Sequence, residues 1–584
     1  MARVLLFFAA RPWLGLVLLL AGSVLAALPL ERLETRISAE EMLVQGDPER
    51  VYYDAIRKVF DDQPTALLVI DDPRPLQPAK LAVLERVLER VEQLAFVVRT
   101  ESLLSIPHVR SIDGYIEKSP YLAELPASPF AEDALLSAAR ANPLLRQVIV
   151  SGESSAMAVA LVLSSEHAAV DDAALTAALD RATEPLDRVY ERVYTIGFAR
   201  VRNEIAERIS DEQWALMPFA IASLLLALFV MLRQLVDVLT PLLTAAISIL
   251  WTLGLMAWLG VPLNVVTSTI PILLLVVGST EDIHLIAEFR RAQRDGEPVA
   301  TAQAHMARKM GRTVLLTFVT TWAGFRSVGL SDIEALRQFG GVASTGLLFN
   351  FVVTIVLVPA ALSLAGRWRI DGAPPPLAPR GGRLARRYWS FLCRYRRAAY
   401  VAMTLLAALA LTGVPRLTVQ HNAVDTLGDE PPVAQDIGHL NRHFAGLESF
   451  SVVLDAGIQD TFLHARYLGE LVAVQRHLQS LMPGASITSF ADYLTLLNRA
   501  FLEDDTADWP QSNDEISELM LFLDQAQVAA YVSEDFSQAR LIVRHALSDT
   551  AELAKRLDDI RDYLGESLDR GLTGRLTGDS VLSL

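Results

Sequence analysis

The stretch GSTEDIHLIAEF, residues 278–289, places two adjacent carboxylates, Glu281 and Asp282, at the end of a long apolar run. From Val238 to Thr280 the chain has no Asp, Glu, Lys or Arg. An acid in hydrocarbon is costly, so one found there marks a functional site by default. The reading turns on where the helix that carries the pair stops. From Val265 to Thr280 it has 16 residues, short of the roughly 20 that cross a bilayer. Extended to Ile286 it has 22 and takes the acids in with it. The alternative is a helix end at the interface with both carboxylates solvated.

Working outward, the 43-residue run is two spans broken at Gly260-Val261-Pro262-Leu263-Asn264. Further uncharged runs are Pro12–Leu30, Trp214–Leu232, Gln338–Gly366 and Ala398–Pro415, and Thr313–Ser331 is interrupted only by Arg326. That predicts seven spans. The chain is 52% hydrophobic with mean hydropathy +0.31, yet 21% of its 584 residues are charged, so it is not membrane throughout. The first 30 residues read as an uncleaved first span rather than a signal peptide, because a later repeat has a matching span.

Basic residues set the orientation. Glu288–Arg312 holds Arg290, Arg291, Arg294, Arg308, Lys309 and Arg312; Arg367–Arg397 holds nine Lys or Arg against Asp371 alone. Both belong on the cytoplasmic side, which puts the N-terminus inside and two large segments outside. The expected division is 1–30, cytoplasmic N-terminus and first span; 31–212, first outside domain; 213–366, five spans; 367–397, basic linker; 398–415, seventh span; and 416–584, second outside domain. The linker contains GAPPPLAPRGG, a stiff segment. It also contains RGGRLARRYWSFLCRYRR, which reads as an amphipathic helix on anionic lipid.

The outside segments look alike. Arg32-Leu33 aligns with Arg416-Leu417, and TALLVID ending at Asp71 with SFSVVLD ending at Asp455, at an offset of 384; Gly197 aligns with Gly578 at 381. Ala66–Asp71, Gln147–Val150, Ala156–Leu163 and Ser449–Asp455 read as strands, and Gln527–Val532 with Gln538–Arg544 as a hairpin. Pro78–Arg99, Asp171–Val189, Asp460–Leu481 and Thr550–Leu568 read as helices. The fold class is a multi-span α-helical membrane protein with two α+β extracytoplasmic domains compatible with split βαβ units. The second copy stops where a following span is due, so the sequence reads as the N-terminal part of a protein of roughly twelve spans.

At this point the chain resembles the resistance-nodulation-division (RND) superfamily, closest to its MMPL-type exporter branch. The resemblance covers the whole layout and is sharpest over residues 264–365. It rests on Gly278, Glu281–Asp282 and His284 before a basic loop, on LLTFVTTWAGF with Thr317, Thr320, Thr321 and Gly324-Phe325, on Phe339-Gly340 and on Pro359-Ala360. The resemblance implies proton-driven export of hydrophobic or amphiphilic molecules, lipids first. Glu281 stands where the superfamily has Asp, with Asp282 additional, and Arg326 stands where it has an apolar residue.

A proton-coupled exporter needs a group that is protonated facing one side and ionised facing the other. A buried acid suits this, because burial disfavours its charged form and a second acid nearby resists joint ionisation. Glu281 and Asp282 point about 100° apart on a helix, so one of them faces the interior; the resemblance makes Glu281 the leading candidate. His284 shares a face with Glu281 and reads as a relay or as a boundary residue. Thr317, Thr320 and Thr321 hold a water chain or bond back to their own helix. Arg326 pairs with an acid or snorkels to the outer interface.

The net charge of −16 argues against nucleic acid as a partner. With Cys393 as the lone cysteine, neither a disulfide framework nor a metal cluster is read. The acidic stretch 503–515 reads as a solvated loop. No Ser-His-Asp order, P-loop or zinc spacing is found, so neither an enzyme nor a cofactor is expected. The expected partners are a hydrophobic or lipid substrate, protons, membrane lipids and an oligomer partner, in a bacterial inner membrane. The rival readings are a non-transporting lipid sensor or scaffold and a protein-translocation accessory of the same superfamily.

Overall fold

The computed structural model describes residues 1–33, 47–112, 115–122, 129–164, 172–232, 234–367, 382–414, 432–523 and 525–582. Most of the GAPPPLAPRGG segment and the Arg416-Leu417 pair lie outside the described residues. The chain divides into two units, Met1–Gln45 with Ala206–Val419, and Gly46–Ile205 with Gln420–Leu584. Elements are numbered along the chain.

The first unit is helical. It contains α1 (Ala2–Ala10), α2 (Pro12–Ala27), most of α7 (Phe198–Leu232), α8 (Leu235–Leu259), α9 (Ile270–Arg294), α10 (Val299–Val328), α11 (Glu334–Arg367), α12 (Gly382–Arg394) and α13 (Arg396–Leu411). Helix α11 packs against α1, α2, α8, α9 and α10 and forms the centre of the bundle. Close approach needs small residues: a Cβ on Gly278 of α9 would collide with the Asn350 side chain of α11, and one on Gly254 of α8 with the backbone at Ala26. Helix α8 ends on Gly260 in the left-handed conformation, φ +68°, as glycine at a helix C-terminus permits. The Asn264 side chain then accepts the amides of Val266 and Thr267 and starts the next turn.

Five of the described helices are long and apolar enough to cross a membrane: Pro12–Arg32, Phe198–Val230, Leu235–Leu259, Thr267–Arg294 and Glu334–Gly366. The sequence predicts seven, and the two others differ for physical reasons. In α10, the Thr residues and Arg326 dilute the apolar stretch, although the helix still packs on α1, α9 and α11. Helix α13 has 16 residues, fewer than the roughly 20 that span. Helix α9 continues without a break through Glu281 and Asp282 to Arg294. The helix of the second span begins at Phe198, well before the expected boundary at 213.

The second unit holds two sheets of one topology. The first is built from β1 (Thr65–Asp71), β2 (Val97–Glu101), β5 (Met157–Leu163) and β6 (Arg192–Ile196), in the order β2-β5-β1-β6. The second is built from β7 (Glu448–Asp455), β8 (Ser486–Thr488), β9 (Gln538–His545) and β10 (Thr573–Thr577), in the order β8-β9-β7-β10. All neighbours are antiparallel. Each sheet is therefore two interlocked split βαβ units. A hairpin, β3 (Pro107–Ile112) with β4 (Tyr115–Pro120), is added to the first copy. Its helices are α3 (Pro48–Val59), α4 (Pro78–Glu92), α5 (Pro129–Ala141) and α6 (Asp172–Thr183). Those of the second are α14 (Pro432–His443), α15 (Ala465–Leu481), α16 (Phe490–Leu502), α17 (Asn513–Met520), α18 (Gln525–Val528), α19 (Thr550–Ser567) and α20 (Asp579–Leu582).

Both faces of each sheet are covered. Ala66, Leu68 and Ile70 of β1 face a core shared with α4 and α6, whereas Val69 faces away from it. Phe450, Val452 and Leu454 of β7 face a core with α15 and α19, and Val453 faces away. The helices on the outer faces are exchanged. Helix α14, from the second copy, packs Val433, Ile437, Leu440 and the following Phe444 on the first sheet. Helix α3, from the first copy, packs Ile56 and the following Phe60 against Val453 of the second. Strands buried on both faces read as near-continuous apolar runs, as TALLVID and SFSVVLD do.

Candidate functional site

Three helices of the bundle bring polar side chains together one turn apart. Asp282 of α9 is fully buried, and the Thr354 hydroxyl of α11 donates to its Oδ1 at 2.7 Å. Thr244 of α8, also fully buried, lies against the same carboxyl group. Asp282 Oδ2 has no hydrogen-bond partner among the described residues. One turn away, Asn350 Nδ2 donates to the Gly278 carbonyl at 3.4 Å, and Ser248 donates to Asn350 Oδ1 at 3.2 Å. The three i, i+4 pairs, Gly278/Asp282, Asn350/Thr354 and Thr244/Ser248, each occupy a single helix face.

On α8 the polar face is longer still. Thr240, Thr244, Ser248 and Thr252 are all buried and recur every four residues. Each hydroxyl donates to the carbonyl four residues back, at 2.7–3.1 Å. On the three threonines that back-bonding satisfies the donor and leaves oxygen lone pairs free, whereas the one Ser248 proton is shared between its own helix and Asn350.

Of the two adjacent acids, Asp282 faces the interior. Glu281 is half-buried, and its Oε2 is buried without a partner among the described residues. The remaining sequence candidates stand apart from this cluster. His284, Thr317, Thr320 and Arg326 are exposed on their helices, and Thr321 is half-buried. Thr320 donates to the carbonyls of Leu316 and Thr317. Helix α10 turns Val314 and Phe318 toward the bundle instead, with Phe318 stacked on Phe351 at 4.2 Å.

A second polar group closes the bundle nearby. Asp237 of α8 and Arg290 of α9 are buried and pair through two bonds of 2.6 and 2.7 Å, and Arg290 also donates to Gln293 at 2.6 Å. Two fork-fork bonds hold a guanidinium and a carboxylate in one geometry. The sequence reading counts Arg290 only as a topology charge. Asp237 is the last charge before the long apolar run, a cue for such a pair.

The sequence profile of the MMPL family matches residues 48–399, more than half of the chain. The chain belongs to the MMPL family. It is 24% identical to MJ1562 of Methanocaldococcus jannaschii over 379 residues, 62% of this chain and 92% of that protein. It is 23% identical over 228 residues to the probable transport protein MmpL12 of Mycobacterium tuberculosis, 38% of this chain and 20% of that one. It is 32% identical over 128 residues to human protein patched homolog 2, 22% of this chain and 11% of that one. The chain thus spans most of the archaeal relative but only a small share of the other two. These relatives and the apolar helices make this MMPL protein a transporter-like membrane protein of RND type.

The second unit of this MMPL protein contains a further cluster that the sequence reading lacks. Asp71, His439 and His443 bring one potential ligand atom each within 4.8 Å of one another. The cluster contains no cysteine and matches no common zinc spacing, and Asp71 lies 368 residues from His439. Burial pushes the His439 imidazole below its ordinary range, against the opposing pull of Asp71.

Proposed function

We propose that this MMPL protein exports hydrophobic or amphiphilic molecules, lipids foremost, and couples that export to proton movement at Asp282. The observation that carries the reading is the buried Asp282 carboxyl with Thr354 as donor and a second oxygen left without a partner. An ionisable residue inside a bundle, bonded by the Thr354 hydroxyl and set against the oxygen of Thr244, suits a proton relay. Uptake or release of the proton changes what Thr354 and Thr244 can bond, which biases the packing of α8 and α11 on α9. The name of MmpL12 as a probable transport protein supports the same direction.

In this reading the basic ends of α9, α10 and α12 face the cytoplasm, and the two α+β copies lie outside, in the periplasm of a bacterial inner membrane. They handle substrate. No bond is made or broken in it, so the protein acts as a transporter and not as an enzyme.

The test is transport of a fluorescent lipid together with proton flux in proteoliposomes of the full-length protein. Asp282→Asn should abolish both, and Glu281→Gln should reduce them. His284→Ala, on the exposed face, should retain both. Transport that survives in Asp282→Asn overturns the coupling; loss in His284→Ala moves the relay to that face.

A further inference from the structure

Helix α14 carries His439 and His443 in the sequence HLNRH, four residues apart on one face. That face lies on β1 and β6 of the first sheet. There, His439 Nε2 lies 2.9 Å from Asp71 Oδ2 of β1, and His439 Nδ1 lies 2.9 Å from the hydroxyl of Tyr194 of β6. The two imidazole rings are 4.5 Å apart between centroids. His439 is buried at 4% exposure, while Asp71 and His443 are partly open. Arg192, the nearest cation on β6, is engaged by Asp436 at 2.8 Å.

We propose that Asp71, His439 and His443 form a transition-metal site, zinc by preference, that fastens the exchanged helix α14 to the first sheet. Two imidazoles and a carboxylate with an open fourth position are a donor set that zinc accepts. A His pair at i, i+4 is the spacing by which one helix face offers two ligands to zinc. Tyr194 completes the arrangement. When a histidine ligates a metal through one nitrogen, its other ring N–H is commonly held by an oxygen acceptor, and the Tyr194 hydroxyl stands at Nδ1. The repeat supplies an internal control. At the 384 offset, His439 and His443 correspond to Ala55 and Val59 of α3, and Asp71 to Asp455. The related junction therefore has no imidazole at these positions. The inference is independent of the proton-coupling reading, since it lies in the other unit.

The experiment uses the untagged full chain in detergent, stripped with a chelator and titrated with zinc chloride by calorimetry, with metal content measured after dialysis. One zinc per chain is expected, with a higher melting midpoint on binding and tetrahedral visible bands when cobalt replaces zinc. His443→Gln and Asp71→Asn should weaken binding by more than the roughly 10–100-fold that second-sphere changes cost. Tyr194→Phe should fall within that range. His477→Gln, on α15, should leave binding unchanged. Absence of stoichiometric zinc in the wild-type chain overturns the proposal. So does zinc affinity that is the same in His443→Gln, a partly exposed position where the fold is not at stake.

Discussion

Where α14 lies on the first sheet, the chain uses Asp71, Tyr194, His439 and His443; where α3 lies on the second, it uses Tyr52, Ile56, Phe60 and Arg540. The backbone plan is the same at both junctions. Strand register makes Val69 equivalent to Val453, Ala158 to Arg540 and Tyr194 to Arg575. Apart from the strand-end aspartates Asp71 and Asp455, only the apolar demand is shared: a valine on the outer face of the central strand, and a phenylalanine after the helix, Phe444 or Phe60. The exchange of helices thus needs a plug and a greasy strand. The polar groups around them answer to something other than the fold, and at the first junction they are imidazoles and a carboxylate.

The largest effect should come from removing the shared part. Phe60 is fully buried and Phe444 is 4% exposed. Truncating either to alanine should cost about 3–5 kcal/mol, as for other buried phenylalanines. The thermal midpoint of the chain in detergent would report it, and hydrogen exchange would show the adjacent sheet opening first. If Phe444→Ala were much milder than Phe60→Ala, the polar cluster at the first junction would be carrying the load that the plug carries at the second.

A smaller contrast involves pH and is confined to the second copy. Burial pushes His545 at the end of β9 down to about 4 and Asp492 of α16 up to about 6. The residue equivalent to His545 in the first copy is Leu163. The His545 contribution is present above the ordinary value of 6.5 and is lost as pH falls toward 4, because the unfolded chain then binds the proton better. The Asp492 contribution has the opposite sense. It is present below 3.8 and is lost as pH rises through about 6. Each shift corresponds to about 3 kcal/mol, so the two oppose each other between pH 4 and 6. Asp492→Asn should make the second copy gain stability as pH rises from 4 to 6.5. His545→Leu should make it lose stability over 4 to 6. Hydrogen exchange in β9 measured against β5 would read both, and identical slopes in the two variants would break the assignment.

The elements of these copies were legible to different degrees. TALLVID and SFSVVLD announce central strands because both of their faces are buried. The helix read over Pro78–Arg99 runs too far; α4 stops at Glu92, and Val97–Glu101 turns into β2. Gln147–Val150 has strand-like residues but closes a turn through an Arg146–Val150 bridge, and the expected first arm of the late hairpin contributes only the Val532–Ala539 bridge. In the bundle, the cost of an acid in hydrocarbon makes the Glu281–Asp282 pair visible in sequence. Its partners were equally visible in principle: Asn350 and Thr354 interrupt an apolar helix at a four-residue spacing, as Thr240, Thr244, Ser248 and Thr252 do. The family resemblance singles out the threonines of α10, yet periodicity places Val314 and Phe318 on one face and Thr317 and Thr320 on another. Pairings such as Asp237 with Arg290, or Asp71 with His439, depend on tertiary approach; the sequence marks one partner of each, Asp237 by its place before the apolar run and His439 by its i, i+4 neighbour His443.

The smallest contrast lies in the ion pairs that border the two junctions. At the second, Arg540 is 6% exposed, donates to Ser451 at 2.8 Å and Asp62 at 2.7 Å, and sits 5.8 Å from the Phe60 ring. At the first, the equivalent position is Ala158, and the nearest pair is Arg192 with Asp436, in which Arg192 is 40% exposed. Asp62 is itself a third exposed, so water softens the penalty of leaving it alone. Arg540→Met keeps the aliphatic bulk over Phe60 and removes only the charge, and should cost about 1–2 kcal/mol, less than the roughly 3–5 of a fully buried pair. Arg192→Met should cost less than about 1 kcal/mol, as exposed pairs do. Coupling to Asp62→Asn in a double-mutant cycle isolates the charge term. A coupling energy near zero would mean that Arg540 acts through its packing on Phe60, and the second junction would then be apolar in its energetics despite its charged residues.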